Sequence, residues 1–177
     1  MTGLRLDYPK SIARLQELRL LRSNEAPPMP ERMPEPCDEQ PLGLGFYKIF
    51  VSDVDLSNLS IPRTYFGRSE IKDVCFQNSD LSESNLRWND FIDIDFTDAR
   101  LTGADFRASF YARVNFTRAD LRGADMRRTH FENCQFENAV MDGAILTRKD
   151  GKALALSADQ RSVIVWCDDE GPTPTGG

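Results

Sequence analysis

The chain has 177 residues, is 40% hydrophobic by composition and carries a formal net charge of −6 at pH 7. This length suits one modest domain with appendages, and there is no run of about 18 apolar residues that would span a membrane. The first ten residues do not resemble a signal peptide. The four cysteines, Cys37, Cys75, Cys134 and Cys167, lack the paired spacing of a disulfide framework or metal site. We therefore expect a cytoplasmic protein of bacterial type.

The N-terminal segment, residues 1–23, has the pattern of a short amphipathic helix. Ile12, Leu15 and Leu18 recur every third residue among charged residues, and Pro9 precedes them. This pattern predicts a helix from about Pro9 to Arg22 with one apolar face. That face either caps the N-terminal end of the next domain or docks a partner or a second subunit.

Residues 24–45 are rich in proline and acidic residues and form the next segment. Proline fixes φ and removes a hydrogen-bond donor, and the composition offers little to bury. We therefore predict an extended linker here. A ligand for a proline-binding domain is the alternative.

A five-residue period then dominates the chain from Phe66 to Leu146. Every fifth residue over seventeen consecutive positions is apolar, and most residues two places before these are small. A helix repeats near 3.6 residues and a strand every 2, so neither can keep this register on one side. The pattern predicts a solenoid, in which each coil buries its apolar side chains against the next coil.

Three short motifs carry a resemblance to a known family: Ala-Asp-Phe at 104–106, Ala-Asp-Leu at 119–121 and Ala-Asp-Met at 124–126. They resemble the signature of the pentapeptide-repeat family. The resemblance implies an all-β solenoid, a right-handed four-sided β-helix with one pentapeptide per side and twenty residues per coil. The sequence supports this at twenty-residue spacing, where Phe and Leu fall into separate columns: Phe76, Phe96, Phe116, Phe136, and Leu81, Leu101, Leu121, Met141.

We assign the β-helix to residues 46–150, with a bulkier opening coil at residues 46–65. The column of Ser69, Asn89, Ser109 and Thr129 points inward and should hydrogen-bond to the backbone or along itself. Asp or Asn often precedes the central apolar residue, and we expect it to bond to the backbone at each turn.

The five-residue register fails at Gly151, where a C-terminal segment, residues 151–167, begins. We predict a short strand from Ala153 to Leu156, then a helix that starts with a capping box at Ser157 and Gln160 and runs through Cys167. This segment should cover the C-terminal end of the solenoid, and residues 168–177 should form a flexible tail. The resemblance implies dimerisation through the C-terminal segment, with Val163, Ile164 and Trp166 as candidate cap or dimer residues.

No catalytic, cofactor-binding or metal-binding constellation emerges from the sequence. His130 is the single histidine, which excludes metal sites with two imidazoles and most nucleophile–base pairs within one chain. It directly precedes the inward Phe131, so we expect His130 on the surface. The chain is therefore predicted not to be an enzyme.

One outward column holds Arg87, Arg107 and Arg127, and the next holds Arg68, Trp88 and Arg128. One interpretation is that Asp105 and Asp125, on the same side, neutralise these arginines. The alternative is that the arginines form a stripe that binds an acidic partner, with Trp88 as an anchor. Direct nucleic-acid binding is disfavoured by the net negative charge. Residues 80–99 are acidic and residues 100–128 basic, so the solenoid should be negative towards its N-terminal half and positive towards its C-terminal half.

The resemblance also implies an activity, because some family members mimic DNA and protect type II topoisomerases from quinolones or toxins. Those proteins are longer acidic rods, whereas this chain has just over four regular coils and a basic C-terminal half. We therefore predict a non-enzymatic protein-binding solenoid with an immunity-like or scaffold role, and keep DNA mimicry as the alternative. The sequence does not identify the partner or the oligomeric state.

Overall fold

The computed structural model describes residues 4–21, 26–35 and 43–168. The helices are α1 (Tyr8–Glu17), α2 (Arg148–Lys152) and α3 (Ala158–Val163). The strands are β1 (Gly45–Tyr47), β2 (Phe50–Asp55), β3 (Tyr65–Gly67), β4 (Glu70–Cys75), β5 (Asp90–Ile92), β6 (Phe110–Ala112), β7 (His130–Glu132), β8 (Ile145–Thr147) and β9 (Val165–Cys167).

The coils stack in parallel with a constant offset of twenty residues. One side forms a five-stranded sheet in the order β2-β4-β5-β6-β7, in which Val51 pairs with Ile71 and Ile71 with Phe91. On the other sides, bridges keep the same offset, as between Asp80 and Arg100. The chain is thus a right-handed, four-sided β-helix of about six turns, which confirms the predicted fold.

The interior is a continuous stack of the predicted apolar columns. The rings of Phe76, Phe96, Phe116 and Phe136 follow one another at centroid distances of 5.1, 5.4 and 4.9 Å, and all four are buried. These distances lie in the range of favourable ring stacking. Each coil therefore packs its apolar side chains against its two neighbours.

The polar inner column bonds as predicted. Asn89 Nδ2 donates to the Phe66 carbonyl at 2.8 Å, and Asn89 Oδ1 accepts from the Ser69 amide at 2.9 Å. Ser109 Oγ and Thr129 Oγ1 donate to carbonyls of the preceding coil at 2.9 and 2.8 Å. These buried polar side chains are satisfied, and they add bonds between coils to those of the backbone.

Several corners between sides are held by an Asp or Asn that directly precedes the central apolar residue. Asp95 Oδ1 accepts from the Thr97 amide at 2.9 Å, and Asn115 Oδ1 accepts from the Thr117 amide at 3.0 Å. The chain then turns through a residue in the left-handed region, such as Asp98 at φ 58°. Asp and Asn tolerate this conformation better than most residues. The predicted bonding of the Asp or Asn before the central residue to the backbone is confirmed.

At the N-terminal end, α1 lies against the first coil and buries Ile12 and Leu15. Ser11 Oγ accepts a hydrogen bond from the Ser60 amide at 2.8 Å. In later coils the equivalent amide, such as that of Asp80, donates to the preceding coil. The helix ends at Glu17 rather than at the predicted Arg22. The reason is local, since Arg19 adopts a left-handed φ of 59° and the Leu20 amide turns back to the Leu15 carbonyl.

The C-terminal segment differs from the prediction in two places. The residues from Ala153 to Leu156 form no strand, because Thr147 caps the short helix α2 directly after β8 and the chain must then turn into α3. The capping box at Ser157 and Gln160 is confirmed, but the predicted helix through Cys167 is wrong. The run from Val163 to Cys167 is mostly β-branched or aromatic, and β9 instead adds to the ladder beside β8.

Candidate protein-binding surface

The predicted arginine column lies on one side of the solenoid, which we call the arginine face. It carries the outward side chains of residues 45–48, 65–68, 85–88, 105–108 and 125–128. Neighbouring coils should lie ~4.8 Å apart, as adjacent strands do. The predicted residues Arg87, Arg107 and Arg127 therefore form a line along this face.

Arg107 and Arg127 are each paired with an aspartate two residues earlier. Arg107 donates from Nε to Asp105 Oδ1 at 2.9 Å and from Nη2 to Oδ2 at 2.6 Å, and its Nε lies 3.4 Å from Asp125 Oδ2. Arg127 bonds to Asp125 at 2.9 and 2.7 Å. The hydrogen bond with Asp105 raises the pKa of Arg107, and that with Asp125 raises the pKa of Arg127. The aspartates thus separate the like charges and hold each guanidinium flat on the surface.

The same pairing occurs on a neighbouring side, where Arg122 bonds to Asp120 at 2.8 and 2.6 Å. A paired Asp-x-Arg motif is therefore a general device of this surface and does not itself mark a binding site. What distinguishes the arginine face is the alignment of three arginines in successive coils.

Arg87 differs from the other two because Asn85, not aspartate, precedes it. Its guanidinium lies 4.5 Å from the Trp88 ring centroid, with Nη1 3.8 Å from Glu35 Oε2 and Nε 3.7 Å from Asp105 Oδ2. Trp88 occupies the adjoining corner at φ 57° and is 41% exposed. The predicted aromatic anchor is thus accessible and stacked under an arginine.

Arg68 and Arg128 lie in the same corner column as Trp88, and both are exposed. The Arg128 amide donates to Asp150 Oδ2 at 3.0 Å, which ties this corner to α2. The structure therefore places all six predicted partner-binding residues on or beside the arginine face.

The predicted charge asymmetry is partly compensated by ion pairs between coils. Arg113 bonds to Asp93 at 2.6 Å, and Arg118 bonds to Asp98 at 2.7 Å, each across a spacing of twenty residues. Arg113 and Arg118 thus lie beside acidic residues of the preceding coil.

The candidate cap or dimer residues divide into two groups. Ile164 is buried, and Trp166 is half-buried with its Nε1 donating to the Arg161 carbonyl at 3.0 Å. Val163 and Val165 are exposed, at 38% and 49%. Ile164 and Trp166 therefore contact their own solenoid, while Val163 and Val165 offer apolar surface.

No metal site or membrane span is found within the ranges that the structure describes. There, no group of three or more His, Cys, Asp or Glu side chains could hold a metal ion, and no helix is long and apolar enough to cross a membrane. His130 is exposed as predicted, and its ring stacks on Phe110 at 5.4 Å. Cys37 lies outside the described residues.

Sequence reasoning missed one feature of the arginine face. The described part of the proline-rich segment, residues 26–35, contacts this face at Asn85 and Arg87 and also bonds to Arg63 in the corner beside it, with Pro30 and Pro34 buried. The remainder of that predicted linker and the predicted flexible tail after Asp168 lie outside the described residues. One sequence signal was available, since Asn85 interrupts the Asp column at a point where this segment docks.

A family described as pentapeptide repeats matches in 8 copies, over residues 52–87, 79–109 and 112–148. Among curated proteins, none matches the chain significantly.

Solved structures with a similar fold include three of distinct origin. A pentapeptide repeat protein from the thylakoid lumen of Arabidopsis thaliana is 25% identical, with 65% of this chain and 73% of that chain covered and a TM-score of 0.39. HetL, involved in heterocyst differentiation regulation in the cyanobacterium Nostoc, is 16% identical over 58% and 59%, with a TM-score of 0.33. QnrB1, a plasmid-mediated fluoroquinolone resistance protein, is 20% identical over 58% and 70%, with a TM-score of 0.29.

Proposed function

Because the chain belongs to the pentapeptide-repeat family, we propose that it acts without catalysis, as a cytoplasmic solenoid that binds and modulates another protein. The binding element is the arginine face, and the partner presents an acidic surface to Arg107 and Arg127. The role that we propose for this binding is immunity-like or that of a scaffold.

One observation carries this proposal. At Arg87, the arginine face already holds a carboxylate from outside the repeat, since Glu35 of the proline-rich segment lies 3.8 Å from its Nη1. Arg107 and Arg127 repeat this position in the next two coils, and their side chains are 35% and 32% exposed. An acidic segment of a partner can therefore continue along the line beyond Glu35. Arginine is also enriched among the residues that dominate protein interfaces.

Affinity capture with matched variants tests the proposal. The tagged protein, an Arg107→Glu/Arg127→Glu variant and an Arg122→Glu control are used to recover partners from cell extract, with quantification by mass spectrometry. Arg122 has the same bonds to the aspartate before it but lies on another side. We expect one partner to be lost with the double variant and retained by the control. Equal recovery by all three proteins would refute binding through the arginine face.

DNA mimicry is separated by a supercoiling assay. A protein that imitates DNA should alter supercoiling by gyrase or its inhibition by quinolones, whereas a solenoid that binds an acidic partner should leave both unchanged at excess concentration. A clear effect on gyrase would favour the mimic and overturn the preferred role.

A further inference from the structure

We propose that the N-terminal part of the arginine face is a binding site for a proline-rich, acidic segment of a partner protein, and that residues 26–35 occupy it as a displaceable internal ligand. This inference goes beyond the proposed function. It concerns the region around Arg63 and Asn85, and its test needs no external partner.

The internal ligand is recognised through its proline carbonyls. Tyr8 Oη donates to the Pro27 carbonyl at 2.9 Å, Arg63 Nη1 to the Pro30 carbonyl at 2.8 Å, and Asn85 Nδ2 to the Pro34 carbonyl at 2.8 Å. Among the described residues, no backbone-to-backbone hydrogen bond joins this segment to a coil. An extended proline-rich chain makes no internal hydrogen bonds, so its carbonyls are available to side-chain donors. The side-chain donors of the site thus match the free backbone carbonyls of an extended proline-rich chain.

The ring of Pro30 packs closely against the residues that lead into the first coil. A Cβ atom at Gly43 would lie 2.4 Å from Pro30 Cγ, and Gly43 has φ +94°. Glycine is therefore needed at position 43 for this contact. Pro27 and Pro28 line one surface cleft together with Tyr47, and Tyr47 stacks on Tyr65 at 6.4 Å. Aromatic surfaces with nearby polar donors are the usual means of binding proline-rich segments.

The site also departs from the repeat in the residues that the segment contacts. Asn85 stands where later coils have Asp105 and Asp125. It is 0% exposed and donates to the Pro34 carbonyl, which a carboxylate could not do. Arg87 consequently lacks an aspartate two residues earlier and approaches Glu35 instead. Asn85 therefore selects a proline carbonyl, and Arg87 selects a nearby carboxylate. Together they favour a proline-rich segment that carries an acidic residue.

Displacement is feasible because, within the described residues, side-chain donors and not a backbone ladder bond the segment to the rest of the protein. Tethering gives the internal ligand an effective concentration on the order of millimolar, so a segment of the same chemistry on a partner must compete with it. Weakening the internal ligand should therefore expose the site to an added peptide.

Fluorescence anisotropy with a labelled peptide of the sequence of residues 26–35 tests this inference. A Pro34→Gly/Glu35→Gln variant has a weakened internal ligand and should bind the peptide about tenfold more tightly than the unmodified protein, because competition from the tethered segment falls. Adding Asn85→Ala to that variant should abolish the gain. Adding Asn115→Ala, an outward amide on another side, should preserve it. Equal affinity in all four proteins, or no binding in any, overturns the proposal.

Limited proteolysis provides a readout that needs no peptide. Trypsin cleavage after Arg32 should become about fivefold faster in Asn85→Ala, since loss of one hydrogen bond shifts the segment towards its undocked form. It should remain unchanged in Asn115→Ala. Equal cleavage rates in the two variants would show that Asn85 does not hold the segment. Both experiments are independent of the proposed function. If Arg107 and Arg127 turn out not to bind a partner, the expected results for peptide binding and proteolysis stay the same.

Discussion

The middle coils and the two ends of this solenoid satisfy the same backbone groups in different ways. In the middle, each coil bonds to the coils before and after it, as when the Asp80 amide donates to the Leu59 carbonyl of the preceding coil at 2.7 Å. At the N-terminal end, the side chain of Ser11 replaces the missing coil. At the C-terminal end, β9 extends the ladder, with the Val165 amide donating to the Ala144 carbonyl at 2.8 Å.

The difference shows where individual side chains matter most. The middle coils repeat one set of contacts, so stability there is distributed over nearest neighbours. Each end depends on a particular contact: the N-terminal end on an apolar helix face, the C-terminal end on a packed tryptophan.

The largest expected effect is at the N-terminal end. Leu15 is 0% exposed, so Leu15→Ala should lower the free energy of unfolding by ~2–5 kcal/mol. Val163 at the other end is 38% exposed, so Val163→Ala should cost at most about 1 kcal/mol. Chemical denaturation measures both. Equal costs would contradict the difference in burial between Leu15 and Val163.

The next effect concerns the C-terminal end. A Cβ atom at Gly151 would lie 2.3 Å from Trp166 Cζ3, so Gly151→Ala must displace that ring. Although alanine normally stabilises a helix interior by about 1 kcal/mol over glycine, we expect a net loss of ~1–3 kcal/mol here.

A double-mutant cycle identifies the cause. In a Trp166→Leu background, the cost of Gly151→Ala should largely disappear, as measured by thermal and chemical unfolding. An unchanged cost would mean that the ring is not the obstacle.

A smaller effect is expected inside the middle coils. Tyr111 is 0% exposed, its hydroxyl has no hydrogen-bond partner within the described structure, and burial raises its pKa. Tyr111→Phe removes this unsatisfied group and should stabilise the protein by up to about 1 kcal/mol in chemical denaturation. Tyr47→Phe, on a half-exposed residue, should change stability by less than about 0.5 kcal/mol. A destabilised Tyr111→Phe protein would indicate that the hydroxyl is satisfied.

The smallest effect is on the surface of the middle coils. The hydrogen bond from Arg118 lowers the pKa of Asp98. This hydrogen bond therefore contributes to folding stability at pH values above the usual pKa of aspartate. The contribution is lost as the pH falls through the lowered pKa of Asp98 in the folded state. In Arg118→Gln, the pKa of Asp98 should rise towards its usual value in an NMR titration. Stability at neutral pH should hardly change, since this is a surface ion pair in which the arginine is half-exposed and the aspartate partly exposed. The pKa of Asp93, paired with Arg113, is the control and should stay lowered.

The repeat made most of the fold predictable from sequence. A residue in one coil has its counterpart twenty residues later, so the stacked phenylalanines and the inner Asn89 could be placed by counting. The same spacing joins Arg118 to Asp98, although we predicted net charges for the two halves and not these pairs.

The ends and the binding surface were less predictable because they depend on tertiary contacts. The left-handed turn at Arg19 and the pairing of β9 both follow from how a segment meets the last available coil, and periodicity contains no information about that. Composition described the proline-rich segment as a linker, because the donors that dock it, Arg63 and Asn85, lie far away in the sequence.

The four-sided cross-section has a consequence for how such a chain can vary. Adding or removing twenty residues leaves every column aligned and merely changes the length of the shaft. Adding or removing five preserves the buried register but rotates everything downstream by a quarter turn. Such a change would move Arg107 and Arg127 out of line with Arg87 without exposing an apolar residue. The buried core thus repeats every five residues, whereas the surface columns repeat every twenty. An insertion or deletion of five residues can therefore change the binding surface while the core is kept.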